Sequence, residues 1–138
     1  MKLHEALKEA AFSCAAELDL PLGWEGEVFT TPAGPYLKGR IVYEGERAAT
    51  LGAHGATRTD GALELTVAVL AGTSEAESAA MSLARAVGRL FPRGRGVDCD
   101  GGEAVFTVPS VAGTRTDGAR MYAMARCPFY AILDGDNL

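Results

Sequence analysis

The sequence predicts an α+β fold: a mostly antiparallel sheet with two helices packed on one face, and long β-hairpin loops. Three observations carry that reading. Two stretches, residues 2–19 and 74–91, repeat apolar residues with a helical period. Residues 36–44, 62–71 and 120–133 instead alternate apolar and polar side chains, the strand period. Strung in chain order the elements read α-β-β-β-α-β-β-β. Two separated helices cannot supply the crossovers of a doubly wound parallel sheet.

Each element has a local reason. In residues 2–19, Leu3, Leu7, Ala10, Cys14 and Leu18 line one helix face, while Lys2, Glu5, Lys8, Glu9 and Glu17 fall mostly elsewhere. Pro21 and Gly23 end the helix. Trp24 leads into a short strand at Glu27–Thr30, punctuated by Pro32, Gly34 and Pro35. In the strand over 36–44, Leu37, Ile41 and Tyr43 point one way and Lys38, Arg40 and Glu44 the other; Gly39 leaves a gap on the first face. Residues 45–61 hold Gly45, Gly52, Gly55 and Gly61 without a sustained period, which reads as a long functional loop. Leu63, Leu65, Val67 and Val69 then give the cleanest alternation, so strand, loop and strand form an extended hairpin.

Ser74 with Glu77 three residues on reads as a capping box for the second helix. Its buried stripe is Ala76, Ala80, Leu83, Val87 and Leu90, with Phe91 near the end and Pro92 as the stop. The small residues would let it lie close to a sheet. Short strands follow at 96–99 and 103–108, then a Gly-rich turn at 109–119. The closing strand runs from Arg120 to Leu133, and its Pro128 reads as an edge position or a bulge.

The length of 138 residues favours one domain, placed at 1–133 with 134–138 as a flexible tail. Hydrophobic residues at 48% and charged residues at 22% describe a globular chain, not a disordered one. A net charge of -5 argues against a protein whose whole surface grips nucleic acid or anionic lipid. Cys14, Cys99 and Cys127 are far apart with no CxxC, as expected of reduced thiols in a cytosolic compartment. Glu5 and Glu9 break any secretory leader, and no run approaches the roughly 18–20 apolar residues of a membrane span.

One repeat is visible. Thr-Arg-Thr-Asp-Gly-Ala occurs at 57–62 and again at 114–119. Asp60-Gly61 and Asp117-Gly118 both read as hairpin pairs, because Gly accepts positive φ and Asp tolerates it.

Chemistry-bearing motifs are largely missing. There is no phosphate-binding GxxxxGK[ST], no GxSxG elbow and no HExxH. His4 reads as a surface residue of the first helix. His54, between Ala53 and Gly55, lacks the supporting contacts that a general base requires. Asp98, Asp100 and Glu103 around Cys99 fail the spacing of a calcium loop and read as a solvated turn. Two flanking carboxylates disfavour the Cys99 thiolate. No catalytic, cofactor or metal residue is assigned. Arg47, Arg58, Arg93, Arg95 and Arg115 all fall in expected loops, and Arg prefers planar pairing with carboxylates and phosphates. Loops without reaction chemistry can still build interfaces. Unlike patches meeting head to tail close into rings.

The layout resembles the tail-terminator proteins of long-tailed bacteriophages and their prophage relatives. The carrying segments are LHEALKEAAFSCAAELDLPLGWEGEVFTTP, PYLKGRIVY, GALELTVAVLAG, GTSEAESAAMSLARAVGRLFPRG and VFTVPSVAGTRTDGARMYAMARCPFYAIL. Together they span residues 3–133. One departure is the short Ala71-Gly72-Thr73 turn before the second helix, where the family commonly has a more Gly-rich one. The resemblance implies a non-enzymatic structural protein of the virion tail, assembled in the host bacterial cytoplasm. It implies a homo-oligomeric ring, a hexamer, that caps the tail tube protein and presents a surface to the head–tail connector protein. DNA would pass through the lumen without sequence-specific binding, and no membrane or cofactor is involved. On that reading Arg47, His54, Arg58 and Arg115 are interface candidates: Arg47 and Arg58 as seam or lumen charges, Arg115 as a partner from the second hairpin.

Two other classes stay open at this point. A ligand-binding domain or enzyme would need a pocket, and Tyr43, His54, Tyr122 and Arg126 are the nearest set for it. An adaptor would bind another protein by an exposed sheet edge.

Overall fold

Chain order in the structure, a computed structural model that describes residues 1–49 and 55–134, is α1 (Leu3–Glu17), β1 (Leu22–Trp24), β2 (Tyr36–Ala48), β3 (Ala56–Leu70), α2 (Ala76–Arg89), β4 (Gly96–Cys99), β5 (Gly102–Phe106), β6 (Ser110–Asp117) and β7 (Arg120–Asp134). The sheet order is β1-β2-β3-β7-β5-β4, with β6 also on β7. Among the described residues only β1 and β2 run parallel; every other pairing is antiparallel. The α+β expectation therefore stands.

The two helices share one face of the sheet, and one continuous apolar cluster lies between. From below, β3 offers Leu63, Leu65, Val67 and Val69, while β7 offers Ala123, Ala125, Cys127, Phe129, Ala131 and Leu133. From above, α1 contributes Leu3, Leu7, Ala10 and Cys14, and α2 contributes Ala80, Ala84 and Val87. Alanine on both α2 and β7 lets helix and sheet approach closely. Each fully buried Leu adds about 1.5–3 kcal/mol relative to exposure. The gap beside Gly39 is filled by Trp24: a Cβ at Gly39 would stand 2.9 Å from the indole ring and 3.0 Å from Leu65.

Several local expectations need correction. The strand at 27–30 is absent. The three-residue β1 lies upstream at Leu22–Trp24, all buried and so without alternation. Gly26, at φ 86°, turns the chain away after it, and Val28 is fully exposed. Most of the supposed loop at 45–61 is ladder: β2 runs to Ala48 and β3 starts at Ala56. These ends are held by backbone pairing, and β2 has no buried face from residue 43 onward, so no apolar period marks them. The supposed turn at 109–119 is mostly β6, a solvent-washed edge strand that pairs only with β7. Asp60-Gly61 makes no turn; it lies mid-strand in β3.

Helix ends differ too. α1 ends at Glu17, and Asp19, at φ 55°, turns the chain away before Pro21 is reached. The Asp19 N–H donates to Ala16 and the Leu20 N–H to Ala15, which satisfies carbonyls that the helix leaves open. α2 begins after Glu75, and no side chain caps it, so the Ser74 capping box does not form. Pro128 is neither at an edge nor in a bulge. β7 pairs with β3 along its whole length, but its other side changes partner from β5 at Phe129 to β6 at Arg126. The Pro128 carbonyl accepts from the Thr107 N–H at 2.9 Å in that junction. The N–H that proline lacks would point to the same side, where no ladder bond is lost.

Candidate assembly surface

Among the described residues no helix covers the opposite face of the sheet, and polar and aromatic residues of β2, β3 and β7 stand there in cross-strand rows. At its centre Arg40, Glu64 and Arg126 lie in register across β2, β3 and β7. Glu64 is only 5% exposed. Its carboxylate accepts from Arg40 Nε at 2.8 Å and from Arg126 Nη1 at 2.7 Å. Arg126 also pairs with Glu44, the extra residue of the β2 bulge. Two guanidiniums and two carboxylates thus balance. The geometry gives each oxygen of the buried Glu64 a charged donor, which is what a buried carboxylate requires.

Toward one end the rows become aromatic. Tyr36 and Tyr122 flank Ala68 on neighbouring strands. Arg115 stacks over Tyr122 at 4.7 Å and Arg120 over Tyr36 at 5.1 Å. Arg120 also donates to the carbonyls of Pro32 at 2.7 Å and Gly34 at 2.8 Å, tying the segment before β2 across this end. Toward the other end Arg58 stacks over Tyr130 at 4.5 Å and donates to Asp60 at 3.0 Å. Directly opposite Arg58 on β2 is Arg47, an exposed cation with no ion pair among the described residues.

The structure therefore brings two of the four interface candidates together and separates a third. Arg47 and Arg58 form a like-charged cross-strand pair. Arg115 lies opposite Tyr122, whereas Arg58 lies opposite Ile132. Ten residues of strand are roughly 33 Å. His54 lies outside the described residues, as do residues 135–138 of the expected tail.

The ligand-site set does not converge. Tyr43 lies on the helix side, edge-on to Phe129 and 3.4 Å from His4 Nδ1 through its hydroxyl. Tyr122 and Arg126 stand on the opposite face. Burial pushes the Tyr43 phenol up. The thiols are equally unpromising as nucleophiles: burial raises Cys14 to about 11 and Cys127 to about 12. Cys99 is raised by burial first and by Asp100 and Asp98 next. Among the described residues no group of His, Cys, Asp and Glu could hold a metal ion. Among them, too, no helix is long and apolar enough to cross a membrane.

The long unpaired edges among the described residues are β2 beyond Gly39, where β1 ends, and the outer side of β6; the short end strands β1 and β4 are also unpaired on their outer sides. Sequence patterning missed β6 because an edge strand with two wet faces has no alternation. It also missed Arg85 and Arg89 on α2, although their spacing of four residues was a usable signal for a shared helix face.

Comparison with known proteins bears on what such a surface does. Residues 2–127 match the sequence profile of a family described as phage tail terminator protein. One solved chain is similar over 94% of this chain and 96% of its own, at 23% identity and a TM-score of 0.61. A second belongs to the virion of a native gene transfer agent particle, at 18% identity and a TM-score of 0.56, covering 97% of this chain and 96% of that one. At these identities the two likenesses speak for the fold. Among curated proteins none matches.

Proposed function

We propose, from the premise that this chain belongs to the phage tail terminator family, that it assembles as a homo-oligomeric ring capping the tail tube. The family is one of structural tail proteins. The ring is a hexamer that halts addition of tube protein and offers its far side to the head–tail connector. The protein then resides in the virion tail after assembly in the host bacterial cytoplasm. DNA passes through the lumen without base-specific contacts, and no enzymatic step is involved.

The single observation that supports this reading is the two long free edges, on β2 and β6, beside a charged face without a helix among the described residues. Long unpaired edges on a single chain invite edge-to-edge pairing. Here β2 and β6 differ in sequence, so contact between them would be head to tail, the kind of contact from which rings are built when its rotation closes. Arg47 and Arg58 serve on that face as seam or lumen charges and Arg115 as a partner from the second hairpin; Arg47 and Arg115 are in no ion pair among the described residues, and His54 is assigned to the same interface by sequence alone. The chain as one folding unit over 1–133 belongs to the same proposal; the expected tail at 134–138 does not start at Asp134, which ends β7 opposite Ala56.

Native mass spectrometry and light scattering test it, on the chain alone and mixed with its tube protein. A six-fold mass, alone or only on tubes, is the expected result. A chain that stays monomeric even with purified tube protein overturns the proposal.

A further inference from the structure

On the helix side, α2 and the segment entering β6 enclose a groove of about 660 Å³ that the surface described above does not include. Its floor is apolar, with Met81, Pro109 and Val111. Its rim carries Arg85, Arg89 and Arg93, and among the described residues no acidic one lines it. None of these three guanidiniums has an ion-pair or hydrogen-bond partner among the described residues. Three unneutralised cations beside apolar surface call for a partner that is acidic and apolar together.

The same chain carries such a surface on α1. Phe12 is 42% exposed, an outlier in a helix whose other large apolar residues face the core. Glu5 and Glu9 precede it on the same side; at 3.6 residues per turn all three lie within about 60° of one another. Both glutamates are exposed. The nearest helix cation, Lys8, is already tied to Glu27. Glu5 and Glu9 are one turn apart, as are Arg85 and Arg89.

We infer that the groove takes α1 of a second copy of this chain, with Phe12 on the apolar floor and Glu5 and Glu9 against Arg85 and Arg89. Each copy offers both halves of the contact. The halves are different, so the contact is heterologous and repeats around a ring. The inference rests on the ring reading above and names one of its seams.

Charge reversal tests it, read by analytical ultracentrifugation of the full chain with and without tube protein. Arg85→Glu with Arg89→Glu, and separately Glu5→Arg with Glu9→Arg, should each weaken self-association by about tenfold or more. The four-fold variant that swaps both pairs should restore it, which also shows that the reversed chains fold. Phe12→Ala should weaken assembly without changing its salt dependence. If the wild type forms rings and the reversed chains do so equally well, the seam is wrong and the ring stands. Failure of the swap to restore assembly also overturns the seam. If reversal of the arginines costs only tube binding, the groove belongs to the tube and the inference fails. A wild type that never associates, even on tubes, removes the ring and the seam together.

Discussion

The hexapeptide at 57–62 and its identical twin at 114–119 have opposite fates. The first lies in β3, hydrogen-bonded on both sides by β2 and β7, with Thr59 and Ala62 fully buried. The second lies at the end of β6, paired on one side only, with Thr116 to Ala119 exposed. Gly61 is required for space: a Cβ there would stand 2.6 Å from the Val42 carbonyl oxygen and 2.9 Å from the Phe129 ring. Gly118 is required for conformation. It has open space around it, but φ is 61° at the first position of a two-residue hairpin turn, the type II′ arrangement. Only the arginine keeps its role, stacked on a β7 tyrosine in both copies. A dipeptide's local preference permits a turn; pairing on both sides overrides it.

The largest effect should come from Gly61→Ala. The new methyl meets backbone oxygen that cannot rotate away, and a loss of about 3 kcal/mol is expected in urea denaturation. Gly118→Ala should cost only about 1 kcal/mol, the penalty of a positive φ, and Gly118→Asn less still. Equal losses at the two glycines would break the comparison. Next come the threonines. Thr59 Oγ1 is buried without a hydrogen-bond partner, so Thr59→Val should stabilise by about 1 kcal/mol. Thr116→Val, at an exposed position, should stay within about 0.5 kcal/mol of the wild type.

The smallest effect at neutral pH concerns the thiols, which extend the contrast between centre and rim. Cys127 on central β7 and Cys14 on α1 are pushed up to about 12 and about 11. A thiol whose folded value is raised contributes its full stability below its ordinary value, near 9, and loses it as pH climbs through the folded value. Melting temperature should therefore be flat to about pH 9 and fall above it. With a thiol reagent at pH 8, Cys99 on rim strand β4 should react first, and Cys14 and Cys127 only after unfolding. Equal rates for all three would contradict this account.

The buried half of the molecule was legible in sequence and the wet half was not. Alternation at Leu63 to Val69 and at Ala123 to Phe129, and the helical stripes led by Leu3 and Ala80, are imprints of a single apolar layer. Strands that extend past that layer carry no such imprint, so Ala56–Asp60 and Ser110–Asp117 read as loops. The arginines followed them: Arg47, Arg58 and Arg115 were read as loop charges and sit in strands. The Arg40–Glu64–Arg126 row was invisible because register decides it, and register is a property of the pairing.

The central claim, that this chain is a structural tail protein acting as a cap, is met most directly by tail length. Electron microscopy would compare particles made with the gene intact and with it deleted. Without the protein, tubes should overrun their normal length and heads should remain unjoined. Tails of normal length, attached to heads in the deletion, would contradict the account.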